Sequence, residues 1–490
     1  MVTATDCWSS SVLRRSGGPA GAAGCAEAAV QPSAKDSANV EEPARRERVG
    51  NAMDAPGCGA TLPTRLERGW PANGVKAHDA LTQIHARWPA VAFGGACVAR
   101  AVLPLLFERS ASAAGADEPA RGRVCRVPSP SGECAMSFSE AARSHLDKLI
   151  RNGEAPGIQY LAVTSEHVVF DYADGWADIA GGRRLDSATT MMAYSMSKTI
   201  TAAAILQLVE ARKVNLDAAI DTYLETQPYG ADVTVRQLLS HTSGIPNPIP
   251  LRWVHAAAVH DGFDERAALS AVLKKYPRLS ARPGSRFRYS NIGYWLLGRI
   301  VEEAAGEPFR AYVAEHVLKP LGVSPRELGY AVADRQHHAK GYLERCSLMN
   351  LFKHALMADD LIGSREGRWQ HLNDHYVNGA AFGGLVGAAR GFGKFLQDQL
   401  RPRSALFLDT TRQLFYAPQH IANGSPIAMT LGWHIGAHKG VRFFYKEGGG
   451  GGFRSMMRLY DSAGMASVVM TNATNFLVSR LLDTLDPWFL

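Results

Sequence analysis

From Ser137 onwards the apolar positions of this chain fall into regular runs. "SFSE" (Ser137 to Glu140) reads as a capping box, with a hydroxyl at the cap and a carboxylate three residues on. Phe138, Ala142, Leu146, Leu149 and Ile150 follow at helical spacing, and Gly153 stops the run, so the pattern predicts a helix. "GIQYLAVTSEHVVFDYADG" (Gly157 to Gly175) predicts two strands joined by a polar turn. "SKTITAAAILQLVE" is apolar on nearly every side, which predicts a buried helix over about 197–213. The middle of the chain is helical. It holds a short helix and turn-rich loop in "TVRQLLSHTSGIPNPIP", then "DERAALSAVLKKY" and "NIGYWLLGRIVEEAAG". Past Tyr416 the period returns to strands in "TLGWHIGAH", "VRFFYKEG", "FRSMMRLYD" and "MASVVMTNAT", and "NFLVSRLLDTLDPWFL" closes with a helix. Strands at both ends with helices between predict an α+β sheet domain interrupted by a helical domain, with a cleft between the two layers.

Residues 1–135 carry no sustained period and are rich in Ala, Gly, Pro, Arg and Ser. Such a segment cannot bury a core, so the expected division is a disordered extension over 1–135 and a folded domain over 136–490. One segment stands out: "WPAVAFGGACVA" (Trp88 to Ala99), continued after Arg100 by "AVLPLLF" and "SASAAGA". It resembles the apolar core and small-residue zone of a secretory signal, although it lies far from Met1 and Arg100 interrupts it. A signal acting over 88–116 implies a periplasmic or secreted protein. Translation starting near Met136 implies a cytoplasmic one, and an incidental apolar patch in an alanine-rich tail implies neither.

Composition excludes several classes. The 490 residues are 46% hydrophobic and 20% charged with net charge +7, and no Lys/Arg run or aromatic-basic interleaving marks a nucleic-acid partner. No apolar stretch reaches the 18 or so residues of a membrane span. Six of the seven cysteines lie at or before Cys134 and only Cys346 follows, so the C-terminal part has no internal disulfide framework. No Cys/His spacing suits zinc, and no metal or cofactor is expected.

The buried helix opens with a difficulty. Ser195 and Lys198 form the single S-x-x-K of the chain, where that helix begins. Burial disfavours the charged form of lysine, so Lys198 either escapes to solvent or is held in a cleft. Positions i and i+3 share a helix face, and a helix start offers N–H groups and partial positive charge, which brings hydroxyl, amine and anion-stabilising backbone together. Tyr289-Ser290-Asn291, after "PGSRFR" and before an apolar helix, supplies a phenol and an amide. Tyr376-Val377-Asn378 has the same spacing, but Tyr289 has the better-fixed loop-then-helix setting. Lys446-Glu447-Gly448 is the only K-x-G and runs into five glycines, where Gly448 lets a substrate approach the backbone or simply forms a flexible hairpin.

Ordered S-x-x-K, Y-x-N and K-x-G resemble the serine β-lactamase and penicillin-binding-protein superfamily, nearest its class C branch with D-alanyl-D-alanine peptidases and esterases. "LLSHTSGIP", "VLKPLGV", "AAFGGLVGAARGFGKFLQ" and "LGWHIG" are similar to family segments, and the resemblance spans about 157–472. It implies a β-lactamase/transpeptidase-like fold, an antiparallel sheet flanked by helices plus a helical domain. It implies Ser195 as nucleophile, Lys198 as its proton acceptor and Tyr289 assisting proton transfer. Asn291 would hold the acyl side, Lys446 would set the local charge, and an oxyanion would sit between the backbone N–H groups of Ser195 and Gly449. Lys198 then needs a depressed pKa, from burial and the nearby Lys446. The chain departs from the family at Glu447, where a Thr hydroxyl usually helps bind a substrate carboxylate. A carboxylate there repels one, which favours an esterase or amidase over a β-lactamase or D-alanyl-D-alanine carboxypeptidase. A non-catalytic penicillin-binding sensor is the further alternative. The substrate in each case is a small ester, amide or β-lactam. Cys346 to Tyr376 fits the family poorly and forms either an acyl-binding wall or a surface excursion. G-x-S-x-G, H-E-x-x-H and S-D-N are all absent, which argues against α/β-hydrolase, metalloprotease and class A β-lactamase chemistry.

Overall fold

Strands from the two ends of the folded region pair to make the central sheet. The structure, a computed structural model, describes residues 137–248 and 252–490. The extension expected over 1–135 and its apolar segment at 88–116 lie outside the described residues. Helix α1 (Phe138–Arg151) begins at the expected capping box: Glu140 N–H donates to Ser137 Oγ at 3.2 Å, and Ser137 N–H donates to Glu140 Oε2 at 2.8 Å. Ala142 and Leu146 are buried as the period requires, but Phe138, in the first turn, is 67% exposed.

Strand β1 (Gly157–Thr164) pairs with β2 (Val168–Asp178) on one side. On its other side lies β6 (Met465–Thr471), followed outward by β5 (Arg454–Tyr460), β4 (Val441–Gly449) and β3 (His434–His438). A two-residue strand, Arg183–Arg184, completes the seven. Every pairing is antiparallel. Only part of "TLGWHIGAH" is strand; Leu431 and Trp433 turn into the core before His434.

Side chains alternate across the sheet and serve two cores. Ile158, Tyr160, Ala162, Met456 and Val469 face α1 and the closing helix α5 (Val478–Leu485). That side also buries Asp486, which accepts from Tyr160 and Tyr460 at 3.0 and 2.8 Å and lies by Arg458. Burial raises the Asp486 pKa to about 6. Leu161, Val163, Met457, Val468 and Met470 face the helical layer, which holds α2 (Ser197–Glu210), α3 (Asn291–Ala305) and α4 (Ala389–Leu400). Helix α2 is buried at all residues from Ser197 to Leu206, as its uniform apolarity predicts, and ends three residues earlier than expected. It packs on α3 and on the short helix Ala380–Gly383. The Cys346–Tyr376 stretch contributes strands Ile362–Glu366 and Trp369–Leu372 to a small sheet with Gly341–Glu344. It then runs into His375–Val377, which pairs with Val254–Ala256. Among the described residues no helix is long and apolar enough to cross a membrane, and no group of His, Cys, Asp and Glu is arranged to hold a metal.

Candidate active site

The turn carrying Ser195 comes just before α2. Tyr194–Met196 forms one 3-10 turn, so Ser195 is partly exposed while Lys198 has no exposed surface. The lysine does not escape to solvent; it is held in the cleft. Its Nζ lies 2.9 Å from Ser195 Oγ and donates to the Phe382 carbonyl at 2.6 Å. Burial, and then the charge of Lys446, hold Lys198 well below the ordinary range of an amine. A neutral amine anchored on Phe382 keeps a lone pair for the serine hydroxyl. The short helix that offers that carbonyl, and the residues just after it, are tied to α2 by further bonds: Thr201 Oγ1 donates to Ala381 O at 2.7 Å and Leu385 N–H donates to Ser197 Oγ at 3.0 Å.

Tyr289, in the loop that leads into α3, reaches the same atom, its hydroxyl 2.9 Å from Ser195 Oγ. Ser290 is extended and caps α3 by accepting from Gly293 N–H at 3.1 Å. An extended residue sends its two neighbours to one side, so Tyr289 and Asn291 leave the chain together. Asn291 is 6% exposed, and its N–H donates to Asn247 Oδ1 at 3.0 Å. Lys446, fully buried on β4, sets its ammonium 5.3 Å from the Tyr289 ring centre, and that of Lys198 is 5.1 Å away. Both amines thus lie near the Tyr289 ring, and the charge of Lys446 is attracted to its π face.

Two imidazoles border this group, and neither was singled out by sequence reasoning. His241 packs on Tyr289 with ring centres 4.3 Å apart, and its Nδ1 accepts from Ser290 N–H at 3.2 Å. His434 stacks at 6.4 Å on the other side. Burial and the neighbouring lysines hold both well below the usual imidazole range, so both are neutral near pH 7. "LLSHTSG" and "LGWHIG" mark these positions, but a histidine letter says nothing of its neighbours. The Phe382 carbonyl, a backbone group, left no signal at all.

Tyr376 and Asn378 lie elsewhere. Tyr376 stacks on His260 at 3.6 Å, and Asn378 Oδ1 lies 2.9 Å from His255 Nδ1. At Gly448 a Cβ collides with the carbonyl oxygen of Ala193, so the glycine is required for the close packing of β4 on the residue two before Ser195. Gly449 is exposed, and at Gly450 a Cβ collides with the Tyr194 ring. The end of β4 thus runs against the residues leading into Ser195. Glu447 is not a bare anion: Arg454 Nε donates to it at 2.7 Å, so its carboxylate is paired beside Gly449.

Gly448→Ala is expected to lower ester turnover about a hundredfold, because displacement of about 1 Å at a reacting centre costs on that order. Its Cβ must push β4 away from the Ser195 turn. Wild-type kcat/KM in this variant refutes the close packing as a functional requirement.

The sequence profile of the family described as "Beta-lactamase" matches residues 143–485. The chain is 31% identical to "Esterase EstB" of Burkholderia gladioli over 225 residues, 42% of this chain and 55% of the esterase. It is 27% identical to "Protein flp" of Staphylococcus aureus strain MW2 over 198 residues, 39% of each. The chain thus spans about half or less of the length of these relatives. Among solved structures, D-amino acid amidase from Ochrobactrum anthropi SV3 superposes with TM-score 0.61 at 19% identity, over 72% of this chain and 99% of the amidase, a likeness of fold. The family match runs from within α1 to the end of α5 and includes Ser195, Lys198, Tyr289 and Lys446, and the chain belongs to the beta-lactamase family.

Proposed function

We propose that the chain is an esterase or amidase that acts through an acyl-enzyme on Ser195 and takes short neutral acyl groups. One observation carries this reading: Ser195 Oγ lies 2.9 Å from both the Lys198 amine and the Tyr289 hydroxyl. In the proposed sequence Ser195 Oγ attacks the acyl carbonyl as its proton passes to Lys198. The oxyanion rests on the N–H groups of Ser195 and Gly449. The leaving alkoxide or amine takes its proton by way of Tyr289. Water then attacks the acyl-enzyme, giving its proton to the same groups as the acid departs and Ser195 is restored.

The preference for neutral acyl groups comes from β4. Glu447 stands where the resemblance leads one to expect a hydroxyl donor, and it occupies Arg454. Neither a hydroxyl nor an unengaged cation is offered to a substrate carboxylate at this point. The name of one relative, an esterase, supports ester turnover.

p-Nitrophenyl esters of graded chain length, assayed beside nitrocefin, test the reading. Short esters are expected to turn over well above nitrocefin. Glu447→Thr, which supplies a hydroxyl and releases Arg454, is expected to raise nitrocefin turnover relative to esters. Wild-type nitrocefin hydrolysis at about 10⁶ M⁻¹s⁻¹ or more, the range of good enzymes, overturns the preference. Stable acylation by a fluorescent penicillin without turnover of any ester indicates a sensor instead.

A further inference from the structure

Tyr194, the residue immediately before Ser195, has a positive φ of 45°. A side chain with a Cβ rarely adopts this backbone, and an aromatic one holds it only where its surroundings require it. The surroundings are specific. The ring is 7% exposed and Gly450 lies directly against it, with no room for a Cβ between them. The hydroxyl donates to the Gly451 carbonyl at 2.7 Å and lies 3.0 Å from His375 Nε2. His375 Nδ1 is 2.9 Å from the Asn373 carbonyl, which can only accept. A neutral His375 therefore carries its proton on Nδ1 and presents Nε2 as an acceptor. The single Tyr194 proton is shared between two acceptors, one on the glycine loop and one on the imidazole.

His375 belongs to the stretch from Cys346 to Tyr376. That stretch also sets Met357 and Leu372 against Gly451. At this point the stretch backs the glycine loop. On the loop's far side Gly452 N–H donates to Thr474 Oγ1 at 2.7 Å, and that hydroxyl donates to the Gly450 carbonyl at 3.0 Å. Gly449 lies at the start of the segment held in this way.

We propose that Tyr194 and His375 are positioning residues: the hydrogen-bonded pair couples the turn that carries Ser195 to the loop that carries Gly449, and so sets the spacing of the two N–H groups that receive the oxyanion. The inference rests on the reading of Ser195 as nucleophile and of Gly449 as oxyanion donor. It assigns to the Cys346–Tyr376 stretch a part in the reaction without contact with the substrate. The strained backbone at Tyr194 is the device, since it aims the ring back across the glycines while the next residue points into the cleft.

The test compares Tyr194→Phe, His375→Leu and His375→Gln in the full chain, with active sites counted by fluorophosphonate titration. Tyr194→Phe and His375→Leu are expected to lower kcat/KM for a p-nitrophenyl ester about 10- to 100-fold per titrated site, the order that misplacement near 1 Å costs. The inhibition constant of a phenylboronic acid, which forms a tetrahedral adduct on the serine, should rise by the same factor while KM changes little. His375→Gln, whose amide oxygen can accept from the phenol, should recover most of the loss. The double variant Tyr194→Phe/His375→Leu should be no worse than either single one. Unchanged kcat/KM per titrated site with only a lower thermal midpoint overturns the proposal, as does a weaker ester rate with unchanged boronate affinity. Failure of the parent reading looks different: the wild-type chain would then not be labelled at Ser195 at all.

Discussion

Replacement of Ser195 by alanine is expected to abolish fluorophosphonate labelling and to lower ester turnover by up to about a million-fold, the scale on which loss of a nucleophile is felt. The fold should be unaffected. Ser195 is partly exposed on a single turn, and Lys198 keeps its bond to the Phe382 carbonyl when the hydroxyl is gone. Matching thermal midpoints with lost labelling is the result that supports the assignment. Undiminished labelling, mapped to another residue, overturns it and with it the reading of Lys198 and Tyr289 as its partners.

Lys198→Met should reduce acyl-enzyme formation by about 10²- to 10⁴-fold, the usual contribution of a positioned proton acceptor. The pH profile is the more discriminating measurement. The neutral amine is the active form, so kcat/KM falls as acid protonates Lys198. Burial and Lys446 hold that protonation well below the ordinary lysine value. Lys446→Met removes a neighbouring positive charge, which raises the Lys198 pKa and moves the acid limb to higher pH. A limb that stays in place assigns the proton acceptor elsewhere. The sign for stability is the reverse of a favourable pair: between the folded and unfolded pKa values the unfolded chain binds the extra proton, so the buried amine costs stability. The cost fades as pH rises toward about 10.4.

The periodic elements were legible because burial imposed their patterns. Apart from Lys198, residues Ser197 to Leu206 of α2 are apolar or small because the helix is enclosed on all sides, and β5 and β6 are buried along nearly their whole length because their two faces meet two cores. Ser195, Lys198, Tyr289 and Lys446 could be singled out because they fall in short motifs of fixed spacing. What escaped was of another kind. Phe382 acts through a backbone carbonyl, which every residue has. His241 and His434 matter through ring contacts with Tyr289 across large sequence distances. The pairing of Glu447 depends on Arg454, seven residues on and across a hairpin. The glycine run looked like freedom, yet Gly448 and Gly450 are required by the atoms pressed against them.

The place of β1 in the sheet has a consequence for biosynthesis. Its partner β6 pairs Ile158 with Thr471, 313 residues later in the chain. At about 5–20 residues per second, β1 leaves the ribosome roughly 15 to 60 s before that partner exists. During this interval β2 covers one hydrogen-bonding edge of a nearly wholly apolar strand and the other edge awaits its partner, a template for pairing with the wrong chain. Lys446 also arrives late, so a nascent chain already holding Ser195 and Lys198 lacks the second charge that tunes them. Ribosome-associated chaperones therefore have a long window in which to engage this strand. Silent codon changes that slow translation between β2 and β4 should lower the soluble yield without altering the activity of the protein that folds.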